Sequence, residues 1–414
     1  MQIRRLIFIG TVILLPWIVL AQSMYSSIGF GDVILPSTSR ADGLGVHGVA
    51  IPDYQEISII NPAFWHQLEF TGITTRIQST KLTNSAGGLN YHSAFNGFNF
   101  HFPVGDVIGI AFGFAPLSHV NYDFERTGQK VFSDMGGDAD TVQYNVDLKG
   151  TGGVGGNFFG LGWKVTNHLS LGVAYNILIG QIENRRTLEF TDQNYSSRYI
   201  AASENVYGGN LILGFAYSNL LRKSDNIGFR IEVPISLKVL TEDALYNSVT
   251  APDRTTEELT GLKWPLQMSI GYQTHLTGRW LAVSEFNLWS PASDLEKITG
   301  DSNFSWSDGL KVGAGIEYAS DYSAETWWKT FAWRAGFSLR QYMETDQQSN
   351  QPMSTRAMIG MGIPFGDAAN RLDLSMQYGR RNGFVENDPV ETEISFAIGI
   401  TVSELWFNGG VRNR

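Results

Sequence analysis

From about residue 68 the chain alternates between apolar and polar positions. Leu169, Leu171, Val173, Tyr175 and Ile177 are apolar, and His168, Ser170, Gly172, Ala174 and Asn176 between them are polar or small. A period of two puts successive side chains on opposite faces of a strand, so this segment predicts a β-strand with one apolar face. Ile227, Phe229, Ile231, Val233, Ile235 and Leu237 repeat the pattern against Gly228, Arg230, Glu232, Pro234, Ser236 and Lys238. Leu262, Trp264, Leu266, Met268, Ile270 and Tyr272 repeat it against Lys263, Gln267, Ser269 and Gln273, and the segments from Leu372 to Tyr378 and from Ile394 to Val402 do so again. Strands are predicted near 68–81, 90–103, 106–119, 142–164, 168–189, 204–219, 226–245, 256–275, 278–290, 306–319, 328–342, 353–364, 370–381 and 391–403.

The links between these strands alternate in length. Pro103-Val104-Gly105-Asp106, Thr166-Asn167, Thr277-Gly278 and Gly366-Asp367 are tight, whereas His119 to Thr141 and Ser290 to Ser305 are long. Short turns on one rim, long loops on the other and an even count are the layout of a bacterial outer-membrane barrel. The expected fold class is all-β: a transmembrane antiparallel β-barrel of about 14 strands. Many strands exceed the ~9–11 residues of a tilted crossing, so the surplus is expected on the long-loop side.

Two N-terminal segments break the alternation. In residues 1–21, Arg4 and Arg5 precede an apolar run from Leu6 to Leu20, and Val19-Leu20-Ala21 before Gln22 supplies small residues for cleavage. This is the pattern of a signal peptide, because the run falls short of the ~20 residues that cross a bilayer. Residues 22–66 have no period and scatter Gly29, Gly31, Gly43, Gly45 and Gly48 among small and polar residues, ending in Asn61-Pro62-Ala63. Such a stretch builds no core alone, so it is expected to fold back into the lumen as a hatch or plug. The expected division is signal peptide 1–21, hatch 22–66, barrel 67–403 and a periplasmic tail 404–414.

Composition adds constraints. The 414 residues include 45 Gly, 25 Phe, 16 Tyr and 11 Trp and no Cys. Absence of Cys excludes disulfides, zinc-thiolate sites and cysteine catalysis. A formal charge of -10 disfavours a nucleic-acid partner, which calls for a basic surface. The seven His residues show no metal-ligand spacing and no GxSxG elbow is present, so no cofactor, metal or catalytic group is expected, and the protein is read as a non-enzyme. Trp264, Tyr272, Trp280, Trp289, Trp327, Trp328 and Tyr378 lie toward strand ends, where an interfacial aromatic girdle would sit. Arg230, Glu232, Lys238, Lys263, Lys311, Glu317, Arg334, Arg340, Arg356, Arg371 and Asp373 fall on the polar face and are expected in the lumen, bracing the wall and anchoring the plug. Gly150, Gly152, Gly153, Gly155 and Gly156 stand in the fourth strand and lack the setting of a phosphate loop. With Pro116 in the third strand, which cannot donate to the ladder, they predict a weakened lateral seam between strands three and four.

The segments Tyr25-Ser26-Ser27-Ile28-Gly29-Phe30-Gly31-Asp32, Ser39-Arg40-Ala41-Asp42-Gly43-Leu44-Gly45-Val46 and Asn61-Pro62-Ala63 resemble the start of the FadL-type outer-membrane transport family, especially divergent Bacteroidetes-like members. The resemblance implies a 14-stranded barrel in the outer membrane, a luminal hatch, and passive uptake of hydrophobic small molecules such as long-chain fatty acids or aromatic hydrocarbons. It further implies sideways release through a kinked third strand into the surrounding lipid. In this chain Leu117-Ser118 follows Pro116 where the family tends to have an aromatic and a glycine. An alternative is a PorV-like barrel that resembles FadL proteins yet acts as a secretion shuttle for protein cargo or as a structural component. A membrane-embedded hydrolase would instead place a Ser and a His within hydrogen-bond reach.

Overall fold

Antiparallel pairing closes the alternating segments into a ring of fourteen strands. The computed structural model describes residues 23–85, 89–132, 140–192, 195–220, 222, 224–247, 253–291, 304–321, 324–366, 370–385 and 388–405. The expected signal peptide and most of the expected C-terminal tail lie outside these residues. The strands are β1 (Thr71–Asn84), β2 (Leu89–Val104), β3 in two pieces (Ile108–Pro116 and Ser118–Phe132), β4 (Asp140–Lys164), β5 (Leu169–Phe190), β6 (Arg198–Ser218) and β7 (Asn226–Asn247). Then follow β8 in two pieces (Asp253–Leu262 and Leu266–His275), β9 (Trp280–Ser290), β10 (Gly309–Tyr318), β11 (Ala332–Gln341), β12 (Met353–Phe365), β13 (Asn370–Arg381) and β14 (Glu391–Glu404). Each pairs with its sequence neighbours, and β14 returns to β1 from Glu391↔Asn84 to Glu404↔Thr71. Closure joins the last strand to the first, as hydrocarbon requires because unpaired backbone groups there cost several kcal/mol each.

The apolar rows point outward. Ile177, Ile179, Ile235, Ile270, Phe286, Ile359 and Phe396 are exposed on the wall, as a lipid-facing surface demands. Trp280, Trp327, Trp328 and Tyr378 are also exposed, but Trp264 and Trp289 are buried in an internal apolar cluster with Phe30, Val33 and Leu35. Those two indoles therefore pack inside and are not part of a girdle.

Three other sequence expectations change. The link after His119 is not a loop: β3 continues to Phe132 and β4 begins at Asp140. The alternation of β8 also does not run through from Leu262 to Tyr272. Residues 263–265 leave the ladder at Pro265, so Leu262 and Trp264 are buried inside whereas Gln267, Ser269 and Gln273 take the inner face beyond the break. Lys263 is consequently exposed and does not face the lumen. The β6–β7 register shifts between Gly209 and Asn210, which reverses β7 after Pro234, and Lys238 is outside, paired with Glu258 at 2.9 Å.

Strand length is uneven around the ring. β4 to β7 have 25, 22, 21 and 22 residues, whereas β10 and β11 have 10 each. Since a tilted crossing uses ~9–11 residues, one side of the barrel projects beyond the membrane as a tall sheet. Its inner face carries Ile182, Val206, Leu237 and Val239, which with Tyr122 of β3 close over the start of the hatch.

Residues 23–68 occupy the lumen and are almost wholly buried. They hold little regular structure: a short bridge at Asp32–Val33, a helical turn α1 (Ser39–Gly43) capped by the Thr38 side chain, and a 3₁₀ turn at Pro62–Gln67 capped by Asn61. The wall accommodates this irregular backbone through inward glycines. A Cβ on Gly172 would lie 2.3 Å from the Pro62 carbonyl carbon, on Gly228 1.9 Å from the Val49 carbonyl oxygen, and on Gly313 2.2 Å from that of Gly45. No side chain fits there, and the hatch main chain lies directly on the sheet. Gly172→Val or Gly228→Val is expected to unseat the hatch at a cost of about 1–3 kcal/mol from overpacking. Thermal unfolding in detergent would show a lowered midpoint, and limited proteolysis would show cleavage within 23–68; unchanged protection would contradict this seating.

Candidate functional site

The hatch is tied to the wall by a buried ionic cluster. Arg40 grips Glu317 with two hydrogen bonds of 2.8 and 2.9 Å and reaches Asp53 at 2.8 Å. From the wall, Arg371 meets Asp53 at 2.9 Å, Glu56 at 2.9 Å and Asp373 at 2.5 Å, and Arg334 bridges Glu317 at 2.6 Å to Asp373 at 2.5 Å. Three guanidinium groups thus face four carboxyl groups. Burial pushes Asp53 up, but Arg371 and Arg40 outweigh it and hold the carboxyl at about 2. Burial dominates at Glu56 and pushes it up to about 8, aided by Asp373 and Asp53 against the pull of Arg371. Each carboxyl of the cluster has a guanidinium within 3 Å, which is the condition for burying such a group of ions.

Asn61-Pro62-Ala63 lies against the wall beside the short turn between β4 and β5. The Asn61 amide donates to the Val49 carbonyl at 2.7 Å and to the Phe215 carbonyl of β6 at 3.3 Å, and its oxygen accepts from Ala63 N at 3.1 Å. Pro62 and Ala63 rest on Gly162, Gly172 and Gly214 of three adjacent strands. Nearby, Ser170 and His66 lie 2.6 Å apart. Burial, with Lys164, lowers His66 to about 4, and its neutral imidazole shares a hydrogen bond with the hydroxyl. No carboxylate orients this histidine among the described residues, so the pair lacks the third member of a hydrolytic triad and ties hatch to wall. Glu285 of β9, not singled out in the sequence, accepts from the main-chain N–H groups of His47, Gly48 and Val49 at 2.9 to 3.0 Å.

The other charged positions fall into two groups. Arg230 and Glu232 pair with each other, with Gln267 and Asn210 completing a network inside the wall. Lys311 is buried on β10 and donates to the His47 ring at 2.9 Å. Above the ionic cluster lies a cavity of about 540 Å³. Ile34, Leu35, Phe95, Phe114 and Pro116 line one side and Lys311, Arg340 and Arg381 the other.

The ladder is broken beside the apolar side of this cavity, but one strand away from the expected seam. β3 and β4 pair from Ile108↔Trp163 to Pro116↔Gly155 and again from Val120↔Gly152 to Phe132↔Asp140, with only Leu117 to His119 irregular between them. The seam between strands three and four is thus closed. β2 instead pairs with β3 only over Phe98 to Val104, leaving its residues 89–97 without a ladder to the second piece of β3. Three features produce this. Gly97 has φ 112° and approaches the Phe114 carbonyl; Pro116 ends the first piece of β3; and the hatch bridge Asp32–Val33 pairs with Ser118 and His119 in place of β2. Gly152, Gly153 and Gly155 line the cavity, while Gly150 and Gly156 receive the Tyr122 ring and the Asn176 side chain.

Arg371→Ala would leave Asp53, Glu56 and Asp373 without their shared cation, at a cost of about 3–5 kcal/mol, and release of the hatch to protease would be the readout. Asp53 has a folded pKa of about 2, below its ordinary 3.8, so its stabilisation is present above about pH 4 and is lost as pH falls through 2. The unfolding midpoint of the wild type is expected to drop across that window more steeply than that of Asp53→Asn.

Solved structures with this architecture share little sequence with the chain. The CymD monoaromatic hydrocarbon channel superposes with a TM-score of 0.58 at 15% identity, covering 89% of this chain and 98% of its own. The Ralstonia pickettii toluene transporter TbuX gives 0.57 at 15% identity over 89% and 98%, and a Pseudomonas aeruginosa FadL homologue 0.59 at 12% identity over 90% and 99%. The fold is therefore that of the FadL-type hatch-bearing barrels. No curated protein matches the sequence. A family model does, along nearly the whole length, and with residues 2–410 matched the chain belongs to the BamG family.

Proposed function

We propose that this protein is a passive outer-membrane channel for hydrophobic small molecules, which enter the cavity from outside and leave sideways between β2 and β3 into the bilayer. The observation that carries this reading is the missing ladder between residues 89–97 and the second piece of β3, beside a cavity partly walled by Phe95, Phe114 and Leu35. The clasped hatch fills the lumen below, so a straight path to the periplasm is obstructed and the lateral path is short. Known relatives in fold carry toluene and monoaromatic hydrocarbons by their descriptions, and the same class of solute suits an apolar exit facing lipid.

A second reading, a barrel that holds or escorts another protein, draws on the tall sheet of β4 to β7. Among the described residues its flanking segment Asp253–Leu262 pairs with β7 alone, which offers a strand edge outside the membrane. Uptake separates the two. A deletion strain is expected to take up labelled oleate or toluene at least several-fold more slowly than the wild type, and Ala94→Trp, which places an indole at the gap, is expected to reproduce the loss while leaving the unfolding midpoint unchanged. Equal uptake in all three strains, with a protein recovered stoichiometrically on the purified barrel, would replace the channel reading by the second.

A further inference from the structure

The cationic wall of the cavity lies across the lumen from the gap. β10 is seven strands from β3 in a ring of fourteen, so Lys311 and its neighbours on β11 face the opening from the opposite side. Most charges lining the cavity are paired: Arg76 with Asp42, Arg356 with Glu393 at 3.0 Å, and Arg381 with Asp32 at 2.8 Å, while Glu391 holds the Ser23 hydroxyl. Of the lining cations without an ion pair among the described residues, Arg380 is exposed, and Lys311 and Arg340 face inward. Lys311 donates only to His47, and Arg340 donates only to the Val33 carbonyl at 2.5 Å; neither has a carboxylate within 4 Å among the described residues.

These two residues are direct cross-strand partners, Lys311↔Arg340, on the same inward face. Like charges placed opposite each other on adjacent strands repel, and the repulsion is larger where water is scarce. A third cation adds to them. The Tyr342 ring has Arg340 at 4.3 Å and Arg381 at 3.7 Å from its centroid, so two guanidinium groups crowd one aromatic side chain, and of the two only Arg381 pairs with a carboxylate, Asp32. The Nε and Nη2 atoms of Arg381, a residue only 7% exposed, and the Nε of Arg340 have no hydrogen-bond partner. Buried guanidinium donors left without acceptors are costly, and here they line a cavity large enough for a small group. Glu344 is buried near these arginines but forms no ion pair with either among the described residues.

We infer that Lys311, Arg340 and Arg381 form a binding site for a dianionic phosphate group. Two cations without a direct carboxylate partner match a phosphate monoester better than a monoanion, and planar guanidinium donors suit its oxygens. The phosphate belongs either to a small solute or to the headgroup of a phosphorylated lipid whose apolar chain crosses the cavity past Leu35 and Phe114 to the gap. The site rests on the cavity reading above, but binding is measured without flux, so failure of transport and failure of binding are separate results.

The experiment uses the purified full-length protein in a non-ionic detergent. Calorimetric titration with dihexanoyl phosphatidic acid, with inorganic phosphate and with uncharged dihexanoyl glycerol is expected to show binding of at least one of the first two and none of the third. The Lys311→Gln/Arg340→Gln double variant is expected to lose at least tenfold in affinity. Its ligand-free unfolding midpoint should be equal to or higher than that of the wild type, because the substitution removes a repulsion; a purely structural role predicts a lower one. Binding of phosphatidic acid without phosphate assigns the site to a lipid headgroup, and equal competition by phosphate assigns it to a solute. Absence of binding by both anions, or affinity unchanged in the double variant, would overturn the inference.

Discussion

Backbone hydrogen bonding inside a membrane is the constraint on which this structure depends. Every strand must find a partner on both sides, and fourteen strands meet that demand by closing β14 onto β1. A stretch where the ladder fails, between residues 89–97 of β2 and the second piece of β3, is where the wall meets the hatch. There the bridge Asp32–Val33 supplies pairing to Ser118 and His119 from inside, so the lumen compensates part of what the wall lacks. Hatch and gap are thus two sides of one arrangement.

The hatch itself could not persist without the wall. It has a single turn of α-helix and two short 3₁₀ turns, too little to stabilise a segment of this length. Its order comes from main-chain contact with inward glycines, from Glu285 receiving three consecutive N–H groups, and from the cluster centred on Arg371. A buried ionic cluster of this kind adds little net stability over an apolar core, but it is unforgiving of displacement. That property suits a plug that must occupy one position.

Much of the fold was legible from the period of two, because an outward apolar row facing lipid and an inward polar row cannot be exchanged without large cost. The fourteen segments and the luminal hatch follow from it. The failures have local causes. Lys263 and Lys238 were placed inward by extending one phase through Pro265 and through the register shift near Pro234, whereas each irregularity turns the following residues over. The glycines of β4 suggest a weak seam beside them, but they admit neighbouring rings and amides, and β3 pairs with β4 on both sides of Leu117–His119. Gly97, which permits the true break, is a single glycine in an otherwise ordinary strand. Arg40, Asp53 and Glu56 could have been noticed as charges in a segment of small and apolar residues, but their partners are hundreds of positions away and no local pattern joins them.

The account turns on the wall being open between β2 and β3 while the hatch stays clasped. Hydrogen exchange of the protein in lipid nanodiscs, followed by mass spectrometry, tests both together. Peptides covering residues 89–97 and 118–132 are expected to exchange much faster than those of β10 to β12, with residues 39–65 protected to the same degree as the latter. Protection of 89–97 equal to that of β10 to β12 would show a sealed wall and contradict the account.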